Sequence, residues 1–247
     1  MATTTLQALV FQMRHEASGI ISVELRPTTP ASAFPVAAAG AHVDLHLGNG
    51  LVRSYSLINP GDTHRYVVAV LNDRRSRGGS RFVHEQLRVG QVITLGGPRN
   101  HFRLDEDARH SVLLAGGIGI TPIYAMLQRL AALGREAYLV YCARSRSEAA
   151  FLAEIEAIAS ASDTRLSLRC HFDGEQGGPP DLERLLAGHP PDAHFYCCGP
   201  GPMLDAYERA CERLGQHNVH LERFAATTTV PTATPASGYT VELRRSG

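Results

Sequence analysis

The segment Ala115-Gly116-Gly117-Ile118-Gly119-Ile120-Thr121-Pro122 sets three glycines between a short apolar run and a longer amphipathic one. A glycine turn that ends a strand and opens a helix offers bare backbone N–H groups and a positive helix end to a pyrophosphate, and a Cβ there would block the approach. The turn departs from G-x-G-x-x-G, because Pro122 occupies the place of the third glycine. The next strand ends in Cys142-Ala143-Arg144, without the acid that holds an adenosine ribose in an ordinary NAD dehydrogenase. A second turn, Cys197-Cys198-Gly199-Pro200-Gly201-Pro202, also places small residues just beyond a strand, so the two turns can flank one dinucleotide. Adjacent cysteines rarely form an unstrained disulfide, and Cys198 reads as a small residue beside a nicotinamide.

Earlier in the chain, Arg53-Ser54-Tyr55-Ser56-Leu57 alternates as a strand, with Arg53 and Tyr55 on one face and Ser54 and Ser56 on the other. A cation and an aromatic ring beside hydroxyls suit a planar anionic ligand; an exposed strand face is the competing reading. Gly78-Gly79-Ser80-Arg81 opens a helix and supplies N–H groups, a hydroxyl and a guanidinium, the parts of a phosphate site.

These residues need a scaffold of two kinds. Up to about Arg103 the pattern predicts strands near 20–26, 41–47, 51–58, 65–71 and 91–95, a small antiparallel barrel interrupted by one helix that Ser80 caps and Gly90 ends. Within it, His42, Asp44 and His46 share a strand face that reads as solvated rather than metal-binding. After about residue 104, apolar runs alternate with helices: strands 111–115, 137–142, 165–171, 193–198 and 218–221, and helices 122–133, 181–187 and 202–214. A further helix follows Ser147 as its cap, with Phe151, Leu152, Ile155, Ile158 and Ala159 on one stripe. The expected fold is therefore a two-domain one: an antiparallel β-barrel over residues 1–103 and a doubly wound α/β domain with a parallel sheet over 104–224. Residues 225–238, rich in Thr, Ala, Pro and Ser, read as a linker, and 239–247 as a strand that starts a further domain.

Composition narrows the function. Twenty-four basic residues, all arginine, balance 24 acidic ones, so no net field favours nucleic acid or an anionic membrane. No apolar run approaches the ~18 residues of a membrane span, and the N-terminus lacks a signal-peptide pattern; a cytoplasmic location is expected. Five cysteines without C-x-x-C spacing read as free thiols, and no metal site is expected. No leftover apolar stripe suggests an oligomer, so a monomer is the default.

R-S-Y-S-L, G-G-S-R, G-G-P-R-N-H-F, G-G-I-G-I-T-P, H-F-D and C-C-G-P-G-P-M occur together and in order. Over residues 5–224 this set resembles the phthalate dioxygenase reductases and vanillate O-demethylase reductases, within the ferredoxin-NADP reductase superfamily. The resemblance implies that Arg53, Ser54, Tyr55 and Ser56 bind a flavin, with Ser56 near the isoalloxazine N5. It implies that Gly78, Gly79, Ser80 and Arg81 hold the flavin phosphate, a form that points to FMN over FAD. Gly116, Gly117, Gly119, Thr121 and Pro122 would bind the pyridine nucleotide, with Cys198, Gly199 and Pro200 on its other side and Phe224 covering the flavin. Ser56, Thr121 and Cys198 would stand nearest the reacting atoms. Asp173 matches a position on the adenosine half of NADH, whereas Arg144 suits a 2′-phosphate; NADH is favoured.

The implied activity passes a hydride from NADH to FMN and then single electrons to an iron–sulfur acceptor, serving a Rieske-type aromatic-ring oxygenase or O-demethylase. The family's [2Fe–2S] ligand set, C-x4-C-x2-C and a later cysteine, is not in this sequence, so a cluster is expected only in a full-length form. Two other readings compete. A dehydrogenase acting on an organic substrate with a lysine base is excluded by the lack of lysine. A non-catalytic subunit that holds flavin for a partner enzyme is the remaining alternative.

Overall fold

The computed structural model describes residues 5–29, 31–74, 76–161 and 165–224. The sequence-predicted linker at 225–238 and strand at 239–247 lie outside them.

Six antiparallel strands build the first unit: β1 (Thr5–Ala17), β2 (Ile20–Pro27), β3 (His42–His46), β4 (Val52–Ser56), β5 (Tyr66–Leu71) and β6 (Val92–Gly96), in the order β4-β3-β6-β1-β2-β5. A bridge between Leu57 and Val68 joins the two edge strands, so the sheet closes and leaves no long free edge. Alternation does the sorting: in β3, Val43 and Leu45 are fully buried while His42, Asp44 and His46 turn away from that core. Helix α1 (Gly79–Glu85) plugs one mouth by sending Val83 into the barrel core, and Leu87 follows just after it. The N-cap is Gly78, in the left-handed region at φ 99°, and not Ser80, whose hydroxyl accepts a bond from the Asp73 N–H at 3.3 Å. The helix ends at Glu85, short of Gly90.

The second unit is a five-stranded parallel sheet, β7 (His110–Gly116), β8 (Glu136–Ala143), β9 (Leu166–Phe172), β10 (His194–Cys198) and β11 (Val219–Glu222), ordered β11-β10-β7-β8-β9. Val112, Leu113, Leu114 and Ala115 in central β7 are fully buried, as a strand covered on both faces requires. The covering helices are α2 (Ile120–Ala132), α3 (Leu152–Ala161), a single turn α4 (Asp173–Gln176), α5 (Leu182–Leu186) and α6 (Gly201–Arg213). Asp181 caps α5 by accepting from the Arg184 N–H at 3.1 Å. Ser147 caps no helix: it sits in a short 3-10 turn, and Phe151 at φ 60° separates that turn from α3.

One hydrophobic core runs across the two sheets. Ala17, Ile20, Ala39, Ile58, Ala69 and Phe102 of the first unit pack with Leu113, Ile120, Met126 and Tyr196 of the second. Polar ties reinforce the seam: Gln128 Nε2 donates to the Ile58 carbonyl at 2.6 Å, and Arg14 pairs with Glu154 at 3.0 Å. The barrel and the nucleotide-type sheet are thereby held in one relative orientation.

Candidate active site

The parallel sheet reverses its winding at β7, since β8 lies on one side of it and β10 on the other; ligands of such sheets bind in the crevice beyond the strand ends at that point. The turns leaving β7 and β10 meet there almost atom on atom. A Cβ on Gly119 would lie 2.2 Å from the Cys198 carbonyl oxygen, and one on Gly116 2.4 Å from Met203 Sδ. These glycines are thus required by the approach of one turn to the other. Gly117 alone has the left-handed φ, 54°, with open space where its Cβ would be. Helix α2 starts from this turn with no acid in its first turn, so its positive end is uncompensated. Thr121 is buried and donates its hydroxyl to the Ile118 carbonyl at 3.1 Å. Pro122 is buried beside it.

On the barrel side, β4 presents Arg53 and Tyr55. Burial pushes the Tyr55 phenol up to about 12, so it stays neutral. Arg53 lies across Gly79 at the start of α1, where a Cβ would fall 2.7 Å from its Cγ and its Nε, and its Nη1 donates to the Val52 carbonyl at 2.8 Å. Neither Arg53 nor Arg81 forms a salt bridge among the described residues. Ser54 donates to Asp44 at 2.6 Å, whereas Ser56 Oγ is buried with no partner.

The two sides meet through His42, which the sequence places on a solvated strand face, and Glu222, which sequence reasoning passed over. Ser56 stands directly across the antiparallel ladder from His42, and Cys198 is in parallel register with Glu222. His42 Nδ1 lies 4.0 Å from Glu222 Oε1. His42 Nδ1, Ser56 Oγ and Glu222 Oε2 are three of the four buried side-chain polar atoms without a hydrogen-bond partner among the described residues. The strand face read as solvated is in fact a seam: Asp44 also accepts from Arg99 at 2.6 Å. Burial drives the Cys198 thiol well above its usual range, so it stays protonated. Phe224, half exposed, follows β11 just past Glu222. At the far end of the crevice, Arg144 and Asp173 leave neighbouring strands β8 and β9, and the Gly174 N–H bonds the Arg144 carbonyl at 3.0 Å.

Burial raises the Glu222 carboxyl from 4.5 to about 7. Between these values the folded chain keeps a proton that the unfolded chain releases, so stability falls as pH rises through that window. Glu222→Gln is expected to match the parent near pH 4 and to exceed it by roughly 2 kcal/mol at pH 8. Urea unfolding at the two pH values checks this.

Residues 113–209 match the model of the oxidoreductase NAD-binding domain. The chain is 50% identical over 212 residues to the phenoxybenzoate dioxygenase subunit beta of Ectopseudomonas oleovorans, covering 85% of this chain and 63% of that protein. It is 46% identical to the tetrachlorobenzoquinone reductase of Sphingobium chlorophenolicum, over 99% of this chain and 75% of that one. A solved phthalate dioxygenase reductase, described as a modular structure for electron transfer from pyridine nucleotides to [2Fe–2S], superposes with a TM-score of 0.80 at 33% identity, over 91% of this chain and 70% of its own. The chain belongs to the phthalate dioxygenase reductase family. The chain carries the oxidoreductase NAD-binding domain of that family and spans 63% of the phenoxybenzoate dioxygenase subunit it matches. The residues fit a flavin such as the family's FMN: the Ser56 hydroxyl is buried without a partner, the half-buried Tyr55 precedes it on β4, and among the described residues neither Arg53 nor Arg81 is held by a carboxylate.

Proposed function

We propose that this chain is the electron-entry part of a Rieske-type aromatic-ring oxygenase or O-demethylase system, taking electrons from NADH and passing them to an iron–sulfur acceptor in the cytoplasm. The orphaned Ser56 hydroxyl carries the reading, because it lies where the barrel faces the two glycine turns. Bound FMN supplies the change from two-electron to one-electron transfer. The protein's part is position and exclusion of water. In this proposal residues 1–103 form the flavin domain and 104–224 the nucleotide domain. Arg53, Tyr55 and Ser56 orient the ring, and Gly78, Gly79, Ser80 and Arg81 hold the phosphate. Gly116, Gly117, Gly119, Thr121 and Pro122 line one side of the dinucleotide, with Cys198, Gly199 and Pro200 on the other. Thr121 and Cys198, both buried, shape the nicotinamide pocket, and the protonated thiol acts as a small neutral wall rather than a nucleophile. Phe224, half exposed just past β11, would cover the flavin. Asp173 disfavours a 2′-phosphate by charge, and Arg144 sets the opposing pull. The working unit is a monomer that meets an oxygenase or a ferredoxin domain.

The visible spectrum of the protein reconstituted with FMN or FAD, followed anaerobically as NADH or NADPH is added, tests this. A tight FMN band bleached faster by NADH is expected. Absence of flavin binding overturns the proposal, and flavin that binds but resists NADH without a partner favours the flavin-holding subunit. Arg81→Ala is expected to weaken FMN binding about tenfold, the loss of one charge-assisted phosphate contact, with little change in apoprotein melting because the side chain is exposed. Fluorescence titration of FMN checks it.

A further inference from the structure

Resting on the reductase reading, we infer that Gln128 is a positioning residue for transfer from nicotinamide to flavin: it fixes helix α2 against the chain leaving β4, and Asn59 frees the carbonyl that it holds. Thr121 and Gln128 are seven residues apart on α2, two turns and about 10 Å, so they lie on one face of the helix. Gln128 Nε2 donates to the Ile58 carbonyl at 2.6 Å and makes a longer contact, 3.4 Å, with the Tyr124 carbonyl of its own helix. Ile58 follows Ser56 by two residues, about 7 Å of extended chain. One hydrogen bond thus joins the helix that opens at the nicotinamide turn to the strand that carries the flavin-facing hydroxyl.

The Ile58 carbonyl is available because the sheet has given it up. The bridge between Leu57 and Val68 sets Ile58 opposite Val67, and the Ile58 N–H donates to the Val67 carbonyl at 3.0 Å. A regular antiparallel pair of this kind exchanges both bonds. Here the Val67 N–H goes instead to Asn59 Oδ1 at 2.8 Å, while Asn59 Nδ2 donates to the Arg65 carbonyl at 2.9 Å. A side chain thereby takes the place of a main-chain acceptor, and the Ile58 carbonyl is left for α2. The core around this bond is apolar, with Ala39, Ile58 and Phe102 of the barrel and Ile123, Met126 and Leu127 of α2 in one cluster. Apolar contact follows area and has no direction, so it holds two faces together without fixing how far one slides along the other. A short hydrogen bond has direction and does fix it. The Arg14–Glu154 tie across the same seam is exposed at both ends, where solvent screening leaves it weak.

Two variants of the full chain remove the bond from opposite ends. Gln128→Met keeps the length of the side chain and loses the donor. Asn59→Ala deletes the acceptor of the Val67 N–H, so the ladder can close on the Ile58 carbonyl and draw it away from α2. In the apoprotein, residual dipolar couplings of backbone amides in the two sheets report their relative orientation. That orientation is expected to change in Gln128→Met and to stay parental in Arg14→Gln; an unchanged orientation in Gln128→Met overturns the inference. In the FMN-loaded protein, bleaching by saturating NADH is followed by stopped flow. Both variants are expected to slow it at least about tenfold, with FMN affinity and half-saturating NADH within about threefold of the parent. The isotope effect from NADH deuterated at the transferred position should change with the rate. Gln128→Lys, which restores a donor of similar reach from a half-buried position, should recover most of the rate, and Arg14→Gln should keep all of it. Lower stability in Gln128→Met with orientation, rate and isotope effect all parental gives the side chain a packing role alone and overturns the inference while the functional reading stands. Parent protein that takes no FMN overturns the functional reading and the inference with it.

Discussion

Gly119→Ala is expected to cut kcat/KM for NADH by at least about 100-fold while FMN binding changes by no more than about threefold. The backbone at Gly119 is already helical, φ −60°, so alanine has no conformational objection. What it lacks is room. Its Cβ would sit 2.2 Å from the Cys198 carbonyl oxygen, 2.5 Å from that carbonyl carbon and 2.7 Å from the Gly199 nitrogen. All three are main-chain atoms of a turn that follows the fully buried Phe195, Tyr196, Cys197 and Cys198 of β10, so no side-chain tip can swing aside. The turns after β7 and β10 must therefore part by about an ångström, a displacement that costs on the order of 100-fold in rate when it falls on a reacting pair. The barrel side is untouched, which is why FMN binding is spared. Gly117→Ala is the informative contrast: it places alanine at φ 54° in open space, costing about 1 kcal/mol of local strain without moving the other turn. Steady-state NADH oxidation with ferricyanide, beside flavin titration, separates the two. Equal loss in both variants would mean that the helix terminus, rather than the spacing of the turns, governs the site.

That contrast also marks what the sequence can and cannot disclose. The glycines of Gly116–Gly119 are legible as a turn, but a sequence does not say whether bare backbone serves a ligand or another loop; the approach of Gly199 and Met203, some eighty residues on, decides it for Gly116. The alternation of buried parallel strands with helices is legible because β7, β8 and β10 are apolar on both faces and their helices carry a stripe. The long first strand, Thr5–Ala17, is not: irregularities between Val10 and Gln12 and between His15 and Ala17 shift the side-chain phase, so the alternation does not carry past Val10. Ser147 reads as a cap because Ser-x-x-x precedes an apolar stripe, yet Phe151 in the left-handed region delays the helix to Leu152. Arg144 and Asp173 are recognisable singly, and their proximity follows from the pairing of β8 with β9. Glu222 carries no local signal, and His42 carries only that of an alternating strand face, which reads as solvated. Their meeting depends on a barrel strand and the last strand of the second sheet closing on one another, about 180 residues apart.

Ser56→Ala should move stability and activity in opposite directions. A buried hydroxyl without a partner costs the folded apoprotein its hydration and returns nothing, so deleting it is expected to leave the apoprotein equally stable or about 1 kcal/mol more so. The same deletion removes the one side-chain hydroxyl that the barrel directs at the proposed flavin ring edge, and a preorganised donor at a site of developing charge is worth about 100-fold or more in rate. The rate constant for bleaching of bound flavin by NADH is therefore expected to fall about 100-fold, with Ser56→Thr, which keeps the hydroxyl, losing less. Ser111 supplies the internal control. It too is fully buried with an unpartnered hydroxyl, but it lies near the start of β7, five residues before the turn at Gly116. At about 3.3 Å per residue this is roughly 16 Å from the crevice. Ser111→Ala should share the gain in stability and leave the bleaching rate at the parental value. If both variants gain stability and neither slows, the orphaned hydroxyl at Ser56 is a packing defect like that at Ser111, and the barrel must recognise the flavin through Tyr55 and the guanidinium pair alone.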